Sequence, residues 1–404
     1  MLNPSLIDLI HKGTLIQRWN DHIRPFTGFT EIDKQAHKIF YAYVLAKCNE
    51  DCGGKVDMCN LIEGLIFEYI HRIILTDIKP PIYHKLIAEK GAEMNKWVIE
   101  QTIDEFKAID DAFAQRMILY FTDEEYSKQE KIIIKFAHYL ATRWEFDVIY
   151  PCNTMMYNIE KTKKEVENSL SACPWFEGKK EIYQNPKILD FVNLIGRLRF
   201  QQRWTATARI PQTSVIGHTL VVAFLSYFFS VGNGYSKKRC ENNFFGGLFH
   251  DLPEVLTRDI ISPVKRGIEG LDELIKGIEV SQLEEIVYPL IPENWTVDID
   301  YYTDDEFDSK IKENGVVRKV TTEDITKKYD SVDYNPIDGQ IIRVCDHISA
   351  YLEAYMSVMN GVQTDSLMHS MNTLYDLYKD KSIDNINYGK YFEEFYPRKI
   401  QEKI

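Results

Sequence analysis

Little in this 404-residue chain favours a strand. Its 20 glycines and 14 prolines are few and fall mainly between apolar-periodic segments. Alternation of apolar and polar residues over a strand's length is rare, which argues against a β-rich fold. Positive charge is also short. The net charge is −13, which speaks against a general nucleic-acid surface, because neutralising a phosphate backbone needs clustered Lys and Arg. A small anionic substrate needs only one or two local cations and stays open. The seven cysteines are an odd number. They contain no CxxC pair, and no histidine stands near Cys48, Cys52 and Cys59 at a zinc-finger spacing. A disulfide framework is therefore not expected, and reduced thiols in a cytoplasmic protein are. No charged-then-apolar leader is apparent at the N-terminus. No run of about 18 apolar residues is apparent either, so no membrane span is expected.

What is present is a core. Hydrophobic content is 45% and aromatic content 13%, enough for two packed domains. Residues 35–47, 214–230 and 339–358 carry apolar side chains at three- and four-residue spacing, so an all-α protein is expected.

The chain also repeats itself. FFGGLFHDLPEVLTRDIISPVK (244–265) lies over IEGLIFEYIHRIILTDIKPPIY (62–83), with Phe249 on Phe67, Asp259 on Asp77 and Pro263 on Pro81. Gln17-Arg18-Trp19 matches Gln202-Arg203-Trp204. QAHKIFYAYVLA matches IGHTLVVAFLSY, which sets His37 on His218. IIKFAHYLA matches IIRVCDHIS, which sets His138 on Asp346. Ordered blocks of this kind point to a tandem duplication. Apolar periodicity fades over 165–190, so the expected domains are 1–180 and 181–404, packed together as an internal pseudo-dimer. Residues 293–338 have no counterpart in the first half. They are acidic, Tyr-rich and weakly helical, and read as an irregular insertion, solvated or acting as a lid, with a short hairpin near VVRKVTTEDI.

Chemistry concentrates in the second half. His218 lies on one expected helix, His250-Asp251 close a second, and Asp346 lies on a late third. Two imidazoles and two carboxylates from separate helices can converge inside a bundle on one divalent metal. That mixed set does not choose among Mn, Co, Zn, Ni, Fe and Mg. Such an ion acidifies water near neutral pH. Pro253 cannot continue a helix interior and should open a new turn after the dyad. Glu254 and Asp259 follow as spare carboxylates, suited to accepting a proton from water and supplying one to a leaving group.

The run HDLPEVLTRDIISPVK, with QRW and the His218 helix before it and the Asp346 helix after it, resembles the bacterial 5′-deoxynucleotidases of the HD-domain phosphohydrolase superfamily over roughly 195–360. The resemblance implies an all-helical HD fold and one divalent metal held by His218, His250, Asp251 and Asp346. It also implies hydrolysis of deoxynucleoside 5′-monophosphates. Arg203 would then contact the phosphate, and Trp204 would pack near the sugar and disfavour a 2′-hydroxyl. Lys265 would be a second phosphate cation, and Glu254 and Asp259 catalytic or positioning groups. Single-domain relatives are expected to associate, which leaves further homo-oligomers open.

Other HD chemistries fit less well. Alarmone hydrolases carry HDxxED, and Val255 replaces the final acid. Cyclic-dinucleotide phosphodiesterases carry a GYP signature that is missing here. A deoxynucleoside triphosphohydrolase could draw on Arg203, Arg258, Lys265 and Arg266. A nucleotide-sensing protein with little catalysis is the reading from another class. The first half is expected to be catalytically dead, with Glu68-Tyr69 in place of the dyad and Arg72 in place of Glu254. His37, Glu68 and His138 leave a residual metal open there, unless Glu68 pairs with Arg72 one helical turn away.

Overall fold

The computed structural model describes residues 3–16, 18–19, 28–258, 268–384 and 386–396. They form helices and two short antiparallel strand pairs, as an all-α fold requires. The chain divides into two compact units, Met1–Arg199 and Phe200–Ile404.

The first unit contains α1 (Pro4–His11), α2 (Glu31–Asp51), α3 (Met58–Leu75), α4 (Pro80–Ile109), α5 (Asp111–Thr122), α6 (Lys128–Ile149), α7 (Ile159–Ser171), α8 (Glu177–Gln184) and α9 (Pro186–Gly196). Helix α2 is buried over almost its whole length and packs against α6 and α8. The Thr30 side chain caps it by accepting from the Asp33 amide, satisfying one of the amides a helix start leaves open. The stretch that reads as a linker is therefore helical and built into this unit. Gly178 makes this possible: a Cβ there would lie 2.5 Å from the Leu45 carbonyl oxygen of α2. The buried Lys179 donates to the Leu170 and Cys173 carbonyls at 3.2 and 2.8 Å. The division between units accordingly falls after α9, later than 180/181.

The second unit contains α10 (Val215–Gly232), α11 (Lys237–Phe249), α12 (Glu254–Thr257), α13 (Leu271–Gln282), α14 (Glu293–Thr303), β1 (Lys310–Glu313), β2 (Val316–Lys319), α15 (Gly339–Met359) and α16 (Asp365–Tyr378). Helices α10, α11 and α15 pack on one another and form its core. Gly247 brings α11 close to α10, where a Cβ would stand 3.0 Å from the Ala223 Cα. Helix α10 corrects one expectation. It is an 18-residue segment of mean hydropathy 1.8, long and apolar enough to cross a membrane. Here 89% of it is buried within the protein, which is how a helix apolar on all sides behaves at the centre of a bundle.

The insertion is also more ordered than its composition suggests. It opens with α14, whose Trp295 and Ile299 are fully buried. Strands β1 and β2 pair antiparallel, with Glu313 opposite Val316. Asn314 and Gly315 turn between them at φ 52° and 81°, the left-handed geometry that favours an Asn-Gly hairpin. The hairpin thus spans 310–319 rather than starting at Val316. Buried Arg239 of α11 clamps the segment's far end, bonding Asp338 through Nε at 2.6 Å and Asp330 through Nη1 at 3.2 Å.

Candidate metal centre

Three separate helices deliver the second unit's donors. Ser214 caps α10 by accepting from the Gly217 amide, which sets His218 in the first turns. His250 directly follows α11, and its Nδ1 lies 2.9 Å from the Gly247 carbonyl, so Nε2 is the atom presented to the site. Asp346 lies on α15, with Oδ1 2.9 Å from His218 Nε2. Ligand atoms of His218, His250 and Asp346 all lie within 4.8 Å of one another, a group able to hold a metal ion. Asp251 stands beside them: Oδ1 is 3.2 Å from His250 Nε2, and Oδ2 is 3.9 Å from His218 Nε2.

The donor chemistry fits a divalent ion. His250 Nε2 and Asp251 Oδ2 are buried and lack a well-formed hydrogen bond, meeting Asp251 Oδ1 at 3.2 Å and Arg203 Nη1 at 3.6 Å as ion pairs, an arrangement to which a bound cation would add direct ligation. Two neutral imidazoles and two carboxylates would balance a 2+ charge. The protonation states point the same way. Burial works against a charged His250, but Asp251 and Asp346 outweigh it and push its pKa up to about 9. His250 likewise overcomes burial at Asp251 and holds it at about 2. A proton on His250 thus supplies positive charge that a bound cation would supply instead.

The dyad closes its helix as expected, and Pro253 immediately precedes the short α12. Glu254 opens α12 and is half-buried. Asp259 and Lys265 lie outside the described residues. Arg203 and Trp204 sit in the loop before α10. Arg203 Nη1 is 3.6 Å from Asp251 Oδ2, so the cation expected at the phosphate borders the candidate donors. The insertion reaches this site as well. The Phe307 ring lies 6.1 Å from the His250 ring, with the Arg343 guanidinium 5.7 Å from the Phe307 ring centre.

One residue escaped the sequence reading. Glu353 of α15 is buried and accepts from Trp204 Nε1 at 2.7 Å, Arg203 Nε at 3.3 Å and Thr213 Oγ1 at 2.7 Å. Asp346, Ser349 and Glu353 share one stripe of the helix. Ser349 Oγ lies 2.9 Å from His218 Nδ1. A signal was available: Glu145 and Glu353 are identical at the same offset that relates His138 to Asp346.

The first unit repeats that frame. Glu145 of α6 accepts from Trp19 Nε1 at 2.9 Å and Arg18 Nε at 2.8 Å. Trp19 and Trp204 share positive φ, 56° and 60°. The Arg18 amide donates to the Phe29 carbonyl at 2.7 Å, as Arg203 does to Thr213 at 3.0 Å. Counting from the caps Thr30 and Ser214 compares the two helices in a different frame. Four residues on, His218 is answered by Lys34, not His37. Lys34 Nζ lies 2.5 Å from His138 Nδ1, repeating the His218–Asp346 contact. His37 turns elsewhere, with Nε2 3.0 Å from the Val192 carbonyl and its ring edge-on to Trp144. Glu68 pairs with Lys38 at 3.2 Å, and not with Arg72, which pairs with Glu31 at 3.2 Å. Tyr69 donates to the Ile10 carbonyl in the core. Among the described residues, the second unit's cluster is the one group suited to a metal.

Residues 195–375 match the HD domain family. The chain therefore carries an HD domain, built on the helices that gather these donors. It is similar to a 5′-deoxynucleotidase of Pasteurella multocida, at 23% identity over 188 residues, covering 44% of this chain and 78% of that protein. A 5′-deoxynucleotidase of Vibrio vulnificus is 24% identical over 178 residues, covering 41% of this chain and 74% of the relative. One from Photobacterium profundum is 27% identical over 110 residues, covering 26% of this chain and 55% of its own length. The HD domain thus resembles the 5′-deoxynucleotidases.

Proposed function

We propose that the second unit is a metal-dependent phosphohydrolase that removes phosphate from deoxynucleoside 5′-monophosphates. The observation that carries this reading is the convergence of His218, His250 and Asp346 from three helices, with Asp251 beside them, within an HD domain. These four side chains are the proposed ligands of one divalent ion. When bound, that ion supplies positive charge to the phosphate and acidifies water. Arg203 orients the phosphate from the edge of the metal donors. Trp204 lies against the sugar and disfavours a 2′-hydroxyl, and Lys265 adds a second cation. A water oxygen bonds phosphorus while the bond from phosphorus to the 5′-oxygen breaks. Glu254 and Asp259 share the proton traffic: one accepts from water, the other supplies the departing 5′-oxygen. The products are a deoxynucleoside and inorganic phosphate. All seven cysteines are free, which fits a reducing compartment such as the cytoplasm.

The test is a phosphate-release screen over nucleoside mono-, di- and triphosphates with Mn, Co, Zn, Ni, Fe and Mg. Release from deoxynucleoside monophosphates, faster than from ribonucleotides, is expected. Tripolyphosphate release from triphosphates at a far higher rate would replace this reading with a triphosphohydrolase. No turnover of any nucleotide would favour a sensing role.

We further propose that the first unit is a degenerate copy of the second. Its Arg18–Trp19–Glu145 arrangement and its capped helix α2 support this, and Lys34 and Glu68 stand where the copy would have lost its metal histidines.

A further inference from the structure

We propose that Glu353 is the positioning residue that sets Trp204 and Arg203 for substrate, and so determines how strongly the site prefers deoxyribose. The proposal rests on the phosphohydrolase reading above. Trp204 has φ 60°, a conformation a bulky residue holds only when its surroundings impose it. Glu353 receives the side chain that this backbone presents. Its Oε2 receives the indole N–H at 2.7 Å and the Arg203 Nε–H at 3.3 Å, while Oε1 receives the Thr213 hydroxyl at 2.7 Å. One carboxylate thereby fixes both the ring plane of Trp204 and the fork of Arg203. Holding Arg203 by Nε leaves the Nη1 edge directed at the donor cluster, 3.6 Å from Asp251 Oδ2.

The carboxylate is itself held rigidly. Glu353 is 1% exposed, and Arg209 Nη1 lies 3.5 Å from its backbone carbonyl. Burial opposes its charge, but Arg203 and Arg209 keep it ionised with a pKa of about 2. It also sits on the α15 stripe that carries Asp346 and Ser349, both bonded to His218. Helix α15 therefore links the metal donors and the Arg-Trp pair through a single rigid element. A side chain ordered this way discriminates by shape, because its orientation is fixed before substrate arrives.

The experiment compares wild type, Glu353→Gln, Trp204→Ala and the double variant on 2′-deoxyadenosine and adenosine 5′-monophosphates. It reads kcat and KM separately, bound metal, and nucleotide binding by calorimetry. Glu353→Gln keeps the volume but turns an amide toward Arg203. We expect a loss of roughly tenfold or more in kcat/KM for the deoxynucleotide, the scale of losing a hydrogen bond to a charged group. The deoxy-to-ribo ratio should move toward unity with metal content unchanged. The double variant should show the sugar ratio of Trp204→Ala alone, since one residue acts through the other. A wild-type sugar ratio in Glu353→Gln would overturn the proposal. So would loss of bound metal together with activity, which would make Glu353 a support of the metal centre. If wild type releases no phosphate, the phosphohydrolase reading fails. Calorimetry then decides Glu353 separately: an unchanged deoxy-to-ribo binding ratio in Glu353→Gln overturns its role.

Discussion

The two units hold the same Arg-Trp-Glu arrangement around different hearts. In the second, Glu353 ties down Arg203 and Trp204, and Arg203 borders Asp251 beside the cluster of His218, His250 and Asp346. In the first, Glu145 ties down Arg18 and Trp19, but Lys34 and His138 meet where His218 and Asp346 would. The outer edge of the arginine differs too. Arg18 Nη1 is bonded to Glu31 at 3.0 Å, and Glu31 also accepts from Arg72 at 3.2 Å. A phosphate at Arg18 would have to displace a buried carboxylate that two arginines already hold. The contrast teaches that the same arginine clamp can serve as an element of packing in one unit and border a candidate metal centre in the other. The first unit thus supplies its own cations and anions in place of ligands.

The comparison breaks most sharply at the dyad. Asp251→Ala should remove both metal and phosphate release. The activity loss should exceed the roughly 10–100-fold that follows when only a supporting partner of a metal ligand is lost. Elemental analysis checks it: metal near the wild-type level would reject this ligand set. Wild type should carry one divalent ion per chain. A variant with His218 and Asp251 both changed to Ala should carry none, and one surviving ion would place a metal in the first unit after all.

Stability should respond most strongly in the first unit. Glu145 is fully buried and pairs with Arg18 and Arg199. Glu145→Ala takes the carboxylate from Arg199, while Arg18 keeps Glu31, and about 3–5 kcal/mol of stability should be lost, the cost of breaking a buried ion pair from one side. Denaturant unfolding measures it, and a change below about 1 kcal/mol would mean that water compensates the arginines. Acid should act in the same direction. Burial, helped by the Arg199 charge, pushes His37 down to about 3. Its pKa is depressed in the fold, so the unfolded chain binds the extra proton first. Stability from His37 is full above its ordinary 6.5 and drains as pH falls from there toward 3. Glu31 adds to this lower down. Burial opposes its charge, yet Arg18 and Arg72 hold it well below the ordinary 4.5, so its share is lost as pH falls beneath that value. Melting temperature followed from pH 7 to pH 4 should therefore fall, and His37→Phe should flatten the upper part of that slope.

How legible this was depended on whether chemistry left a local mark. The candidate cluster was visible because a His-Asp pair, a histidine and an aspartate fall on separate apolar-periodic segments, and periodicity is what a buried helix imposes. Lys34 was hidden because the apolar positions align one way, whereas counting from the helix caps Thr30 and Ser214 aligns the two helices another way. A shift of three residues preserves one face of a helix, so periodicity could not see it. Glu353 was missed because buried carboxylates look like surface ones until their partners are known, although its repeat at Glu145 was in plain sight. The insertion was misjudged through its acidity. Its Asn314-Gly315 pair signalled the hairpin, and Trp295 and Ile299 needed only the rest of the core to bury them.

The smallest expected effect concerns what the second unit has and the first lacks. Residues 304–308 come from the insertion and are held by ion pairs: Asp305 to Lys276 of α13 and to Lys319 of β2, and Asp308 to Lys319 at 2.6 Å. That bracing sets Phe307 between the His250 ring and Arg343. A ring packed against a donor histidine helps fix its orientation, and one such aromatic contact is worth about 0.5–1.5 kcal/mol. Phe307→Ala should therefore lower kcat/KM by roughly two- to tenfold, with metal still bound. The loss should be smaller in Phe307→Leu, which keeps bulk but not the ring. Equal activity in all three proteins would make the insertion a scaffold remote from the chemistry, and the difference between the two units would then reduce to the donors alone.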